Sequence, residues 1–212
     1  MRKTAKGMMA AGALLMAAAL GFEGTYAYFT YLREVRNRLS VGHNEITITE
    51  DYDPPEEITP GEDTSFYKKV QVRNTGPVPC YVRVRLEYSD SHMKQFCTNV
   101  LEGNRAPAEE WGAVIEEFSG GAWIFGDDGF YYCRDVLEPG ETTGLLLEQV
   151  EVSAPEEQSD MVTEFEILVY GESVQTMVHE YGPNGEVTAV EAADYREAWD
   201  QILERLEQKG GA

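Results

Sequence analysis

Phe66–Tyr88 reads FYKKVQVRNTGPVPCYVRVRLEY, two alternating runs around a turn-rich centre. In Tyr81–Tyr88 the apolar Val82, Val84 and Leu86 alternate with Arg83, Arg85 and Glu87. Successive side chains of a strand point to opposite faces, so this pattern predicts one face turned to a core and one to water. Phe66–Arg73 has the same period of two, and Asn74–Pro79 between them is rich in turn formers. The economical expectation is a β-hairpin.

Outward from this stretch the same signals recur. Leu145–Val152 (LLLEQVEV) and Glu164–Tyr170 (EFEILVY) read as strands, the second with Phe165, Ile167 and Val169 on one face. Trp123–Phe125 and Phe130–Cys133 flank Gly126–Gly129 (GDDG), a hairpin signal. Thr59–Thr64 (TPGEDT) and Glu138–Thr143 (EPGETT) each place Pro then Gly at the centre of a turn. Pro fixes φ and Gly accepts positive φ, which is the requirement of type II. Short strands separated by such turns point to a mainly β, antiparallel β-sandwich. Thr49–Glu57 (TEDYDPPEE) reads as a loop whose carboxylates lack the ligand spacing of a calcium loop.

The C-terminal part changes character. Glu191–Gln208 predicts a helix with Tyr195, Trp199, Ile202 and Leu206 on one stripe, and Thr188 and Glu191 have the spacing of a capping box. The stripe either docks on the sandwich or is offered to a partner chain.

At the other end, Arg2, Lys3 and Lys6 precede the apolar run Met8–Leu20, which Glu23 interrupts. A membrane-spanning helix needs roughly 20 apolar residues, so the run reads as a signal peptide. Thr25 and Ala27 supply small residues at −3 and −1, placing cleavage between Ala27 and Tyr28; an uncleaved signal anchor is the alternative. No cysteine follows the run and the C-terminal LEQKGGA has neither a sorting motif nor an apolar tail, so no lipid or covalent wall anchor is expected. The expected organisation is a signal peptide at 1–27, a β-sandwich domain at 28–188 and a helix with tail at 189–212.

The 212 residues carry a net charge of −21. No Lys/Arg-rich run offsets it, so nucleic acid is not an expected partner. Such charge keeps an exported protein soluble. Cys80, Cys97 and Cys133 are too widely spaced for a CxxC metal site, and one pair can bridge in an oxidising compartment, though the sequence does not choose which. His43, His92 and His179 are scattered. No metal, cofactor or catalytic residue is expected.

Taken in order, GTYAYFT closing the signal, NRLSVGHNEITITE, VQVRNTGPVPCYVRVRL, DGFYYCRDVLEPGETTGLLLEQV and FEILVYGESVQT resemble the SipW-dependent signal-peptide family of Gram-positive bacteria. That family includes TasA-type, camelysin (CalY) and BsaA-type biofilm matrix proteins. The resemblance runs from Met1 to about Thr176. It implies a jelly-roll sandwich, export through a dedicated signal peptidase, and secretion to the extracellular matrix or cell surface. It further implies self-association into fibres, with other matrix proteins or cell-surface components as further partners. In TasA-like fibres the mature N-terminal segment completes the sheet of the next subunit. Here that donor strand falls on Tyr28–Leu39, beginning Tyr28, Phe29, Thr30, Tyr31, Leu32 and ending at Leu39. Camelysin was also described as a metalloprotease, but no His pair with a nearby Glu at ligand spacing is present. The C-terminal helix and the Cys97–Glu117 insertion fit the family pattern less well.

Elementary physics supports the donor strand separately. Open sheet edges carry unpaired N–H and C=O groups, which pair readily with another chain. Tyr28–Leu39 alternates apolar side chains and then carries Arg33, Arg36 and Arg38, a basic tip on an acidic chain; pairing within its own sheet is the alternative. Two other functions compete with a fibre subunit. A monomeric binding module would use the aromatic Trp123–Tyr132 (WIFGDDGFYY). A secreted hydrolase would use Glu109/Glu110, Glu116/Glu117 or Asp127/Asp128, but adjacent carboxylates point to opposite strand faces and glycosidase pairs come from distant segments. An enzyme is not expected.

Overall fold

The computed structural model describes residues 44–55 and 57–210, with the side chains of Tyr181 and of residues beyond 204 outside the description. It is mainly β, with antiparallel sheets and a C-terminal helix, as the alternating runs predict. The first sheet has the order β1 (Ile46–Tyr52), β2 (Asp63–Asn74), β8 (Leu147–Ser153), β4 (Cys97–Leu101), β5 (Asn104–Pro107). The second has the order β6 (Trp123–Phe125), β7 (Tyr131–Cys133), β3 (Cys80–Tyr88), β9 (Ile167–Gln175). A ribbon of β10 (Met177–Tyr181) and β11 (Val187–Glu191) follows. The helices are α1 (Ser91–Lys94), α2 (Trp111–Phe118) and α3 (Tyr195–Gly210), with a 3₁₀ turn at Glu156–Met161.

Both sheets feed one apolar cluster. Val70, Val72, Val150 and Val152 of the first sheet join Val82, Val84, Trp123 and Val169 of the second, with Trp111 and Ile115 of α2 closing one end. Period two explains the inward sets. Phe165, Ile167 and Val169 enter this cluster together, as their alternation predicts.

The hairpin expected across Asn74–Pro79 does not form. β2 pairs with β1 and β8, while β3 pairs with β7 and β9. At the end of β2 both edges are taken: Asn74 faces Ile46 of β1, and Arg73 bridges to Thr142 on the other side. No edge is left for β3, so the chain crosses to the other sheet. Pro77 and Pro79 lack N–H groups, and the crossing is tied by Asn74. Its side chain donates to the carbonyls of Val78 and Leu137, each at 2.8 Å, and accepts from the Gly76 amide at 2.9 Å.

The two Pro-Gly turns form as their sequences require. Glu62 N–H donates to Thr59 and Glu141 N–H to Glu138, with Gly61 and Gly140 at φ of 83° and 88°. The GDDG hairpin also forms, with Trp123 opposite Cys133 and Phe125 opposite Tyr131. Thr49–Glu57 is corrected in part: Thr49–Tyr52 belong to β1, whose ladder with β2 outweighs the polar composition. Thr188 and Glu191 lie in β11 and not at a helix start. The helix begins at Tyr195 instead, where Asp194 Oδ1 accepts from the amides of Arg196 (2.9 Å) and Glu197 (3.1 Å). Glu197 reaches back to the Ala193 amide at 2.6 Å, so the reciprocal cap exists a few residues downstream of the expected one.

Asn74 is fully buried, and replacing it takes the side-chain partner from the Val78 carbonyl and removes one of two hydrogen bonds from the Leu137 carbonyl and from the Gly76 amide. Asn74→Ala should lower stability by about 2–4 kcal/mol, read by urea unfolding. A loss under about 1 kcal/mol would show that the crossing finds other partners for those groups.

Candidate functional site

Unpaired sheet edges are templates for pairing with another chain, so they are the candidate contact surfaces of this fold. Among the described residues the edges of the two larger sheets are β1, β5, β6 and β9, and both five-residue strands of the β10–β11 ribbon are edges as well. β5 has four residues and ends in Pro107, and β6 has three. Short strands and proline blunt an edge. β1 has seven residues and β9 nine, and these two lie on the same flank. A Cβ placed on Gly171 of β9 would lie 3.1 Å from the Ile48 side chain and 3.4 Å from that of Ile46. Glycine here lets the two sheets approach, with the β1 isoleucines roofing β9. Ile46, Ile48 and Ile167 are nonetheless only half-buried, so the core is open along this flank. Tyr52, 46% exposed, marks its far end; burial and the adjacent Glu166 and Glu50 carboxylates push its hydroxyl pKa up. Tyr28–Leu39, expected to be the donor, and the Ala27–Tyr28 cleavage point lie outside the described residues.

The outer face of the second sheet holds the most connected polar group. Arg83, read from sequence as solvent-facing, is 7% exposed because α3 covers it. Its Nε and Nη2 donate to Glu172 Oε2 at 2.8 and 2.6 Å, and Nη1 donates to Asp128 Oδ2 at 3.0 Å and Tyr132 Oη at 2.9 Å. The guanidinium stacks 4.0 Å from the Phe130 ring centre and 4.3 Å from that of Trp199. Burying an unpaired guanidinium would cost several kcal/mol, so these partners are what makes the position tolerable. Tyr132, hydrogen-bonded to Asp128 as well, has its pKa pushed up to about 12, chiefly by burial. Tyr195, Ala198 and Trp199 of α3 are buried against Tyr81, Val174 and Val178, so this part of the stripe docks within the chain. Leu206 lies beyond the described side chains.

The aromatic segment is mostly core. Trp123 is fully buried and donates from Nε1 to the Gly144 carbonyl at 3.2 Å, while Tyr131 is buried too. Trp123 therefore cannot grip a ligand; Phe125 is the large apolar side chain of this segment left exposed. Sequence alternation marks both members of a β6–β7 pair as aromatic, but not that both faces of these short strands are covered.

The acidic pairs do not converge. Glu109, Glu110, Glu116, Glu117, Asp127 and Asp128 are exposed, and Asp128 is committed to Arg83 and Tyr132. A polar cleft of about 410 Å³ is lined by Gly120, Gly121, Arg134, Asp135, Asp194 and Arg196. Its cations and carboxylates balance, and Asp194 already caps α3. Between α3 and β9–β10 lies a cavity of about 40 Å³, room for water rather than a metabolite. No group of His, Cys, Asp and Glu among the described residues could hold a metal ion.

Cys80, Cys97 and Cys133 are buried thiols, none bonded to another. Burial pushes Cys80 and Cys97 up to about 12 and Cys133 to about 11, with Cys133 adding to the effect on Cys80. Thiolates are the reactive form, so these positions are packing residues at neutral pH. No protein-family model matches the chain, and no curated protein matches it significantly.

Two outcomes follow from this geometry. Arg83→Met should cost about 1–3 kcal/mol and loosen α3, seen as a red shift of tryptophan emission; an unshifted spectrum would separate Arg83 from helix docking. The thiols give the second. Their folded pKa values exceed the ordinary unfolded value, so their contribution is intact below pH 9 and is lost as pH rises toward 12. Stability should fall by about 1.4 kcal/mol per pH unit for each thiol above pH 9, with three thiols titrating after denaturation. Fewer than three would reveal a bridge.

Proposed function

We propose that this chain is an exported structural protein of the SipW-dependent, TasA-like kind, a fibre subunit of an extracellular matrix. Signal peptidase would cut between Ala27 and Tyr28, and the mature N-terminal segment would complete a sheet of the next subunit. The single observation that carries this reading is the open flank. The two longest edge strands lie together there over half-buried isoleucines, while the opposite edges are short or end in proline. A donated strand satisfies the edge N–H and C=O groups and fills the gap with alternate side chains.

The strand order supports describing the two sheets as layers of a jelly-roll-like sandwich. β8 returns to lie between β2 and β4, its predecessor β7 pairs with β3, and the chain changes sheet between β2 and β3, β3 and β4, β5 and β6, β7 and β8, and β8 and β9. The head-to-tail contact is heterologous and does not close, so it grows a filament rather than a dimer. No chemistry belongs to this reading, and other matrix or cell-surface components are its further partners. The monomeric binding module loses its main residue with Trp123 in the core.

The experiment is light scattering and negative-stain microscopy on chains beginning at Tyr28 and at Ser40, with circular dichroism as a check of fold. Filaments from the first and none from the second are expected. Folded monomers from both would sink donor-strand assembly.

A further inference from the structure

Two edges border the open flank, and a donated strand can add to only one. We infer that β9 is the acceptor, and that Tyr28–Leu39 of a second copy runs antiparallel along it, placing its arginines at Glu164 and Glu166. This inference rests on the assembly reading above and specifies its interface.

Length and regularity favour β9. Its nine residues, Ile167–Gln175, pair with β3 from Tyr88 to Cys80 without a register shift. The strand holds neither proline nor lysine, and its one charged residue, Glu172, is turned to Arg83. Proline, lysine and a bulge, which blunt edges elsewhere, are therefore absent from β9. Extending the second sheet past β9 also sets alternate side chains of the new strand beside Ile46 and Ile48, which lie over Gly171. That closes the half-buried part of the core, whereas a strand added to β1 leaves the β9 edge unpaired.

Charge chooses the direction. On β1, Glu50 is held by Lys68 at 2.9 Å and Asp51 by Lys69 at 3.9 Å. Glu164 and Glu166, exposed just ahead of β9, have no cation within ion-pair distance among the described residues. The donor is apolar at its start and basic afterwards, with Arg33, Arg36 and Arg38. Only an antiparallel arrangement brings that basic half to the N-terminal end of β9, where the two free carboxylates sit, and the apolar half to its middle and far end. A parallel strand would carry the arginines away from them.

Residue-resolved hydrogen exchange on the chain in dilute and assembled form reads the acceptor directly. Alternate amides of Ile167–Gln175 should slow at least tenfold on assembly, together with those of Tyr28–Leu39, while Ile46–Tyr52 stays unchanged. Slowing at Ile46–Tyr52 instead would overturn the β9 assignment and leave strand donation standing. Protection of β9 that is independent of concentration would mean that the segment pairs within its own chain, which overturns the intermolecular contact. Absence of assembly under any condition removes the reading on which this one rests. Direction is read separately by charge exchange. The Glu164→Lys/Glu166→Lys chain should assemble at about two- to tenfold higher concentration at low salt. Adding Arg33→Glu and Arg36→Glu should restore the original threshold. An unchanged threshold in the first variant, or no recovery in the second, would overturn the antiparallel placement.

Discussion

One buried amide side chain ties the two sheets together. Asn74 ends β2, and its side chain holds the proline-rich crossing and the Leu137 carbonyl. Its backbone is fixed by the second Pro-Gly turn, through its N–H to Glu141 and its carbonyl from Gly140. Pro77 and Pro79 cannot supply donors of their own, so the crossing takes its polar contacts from this residue and from the Glu45 carbonyl, which accepts from Thr75 and Gly76. With Asn74 seated, β3 starts in the other sheet, Cys80 exchanges backbone bonds with Leu137, and every later strand has a fixed partner. The apolar cluster is then assembled from both sheets rather than from one hairpin.

The two faces of the second sheet are managed differently. Its inner face contributes Val82, Val84, Trp123 and Val169 to the apolar cluster. Its outer face carries a guanidinium that would be costly to bury alone, and α3 is laid over it with Trp199 and Tyr195 as the covering surface. Arg83 thereby serves as a polar peg, paired by Glu172 and Asp128 and sandwiched between Phe130 and Trp199. Such a peg contributes position more than net stability, because its desolvation cost offsets much of its pairing. Helix docking on this face leaves the molecule with one flank still open, between β1 and β9.

The flank between β1 and β9 is the part of the fold on which the proposed assembly rests. The edges of the two larger sheets at the other flank, β5 and β6, are short, and β5 ends in a proline, as exposed edges commonly do. β9 is neither short nor proline-bearing, and among the described residues it is the longest edge strand. A chain of net charge −21 resists non-specific association. On the proposed reading, a basic segment is the partner that Glu164 and Glu166, without a cation among the described residues, would admit. In the proposed assembly charge would select the strand, and the ladder and the half-buried isoleucines would supply affinity.

Local patterns were legible in the sequence because they arise from neighbours along the chain. Period two marked the inward valines, Gly61 and Gly140 marked turns that need positive φ, GDDG marked its hairpin, and the stripe of Tyr195 and Trp199 marked the docked face of α3. What the sequence left undecided was partnership. Phe66–Arg73 and Tyr81–Tyr88 look like one hairpin because they are adjacent, yet both edges of β2 are claimed by β1 and by the Thr142–β8 segment. Arg83 alternates outward as expected, but only the folded position of α3 decides that outward means buried. Trp123 reads equally as a grip or as core until its neighbours are known. Periodicity is set by backbone geometry within a few residues, whereas pairing and burial depend on which distant segments share a core. Tertiary structure decided those, and with them which edge of the protein stays open.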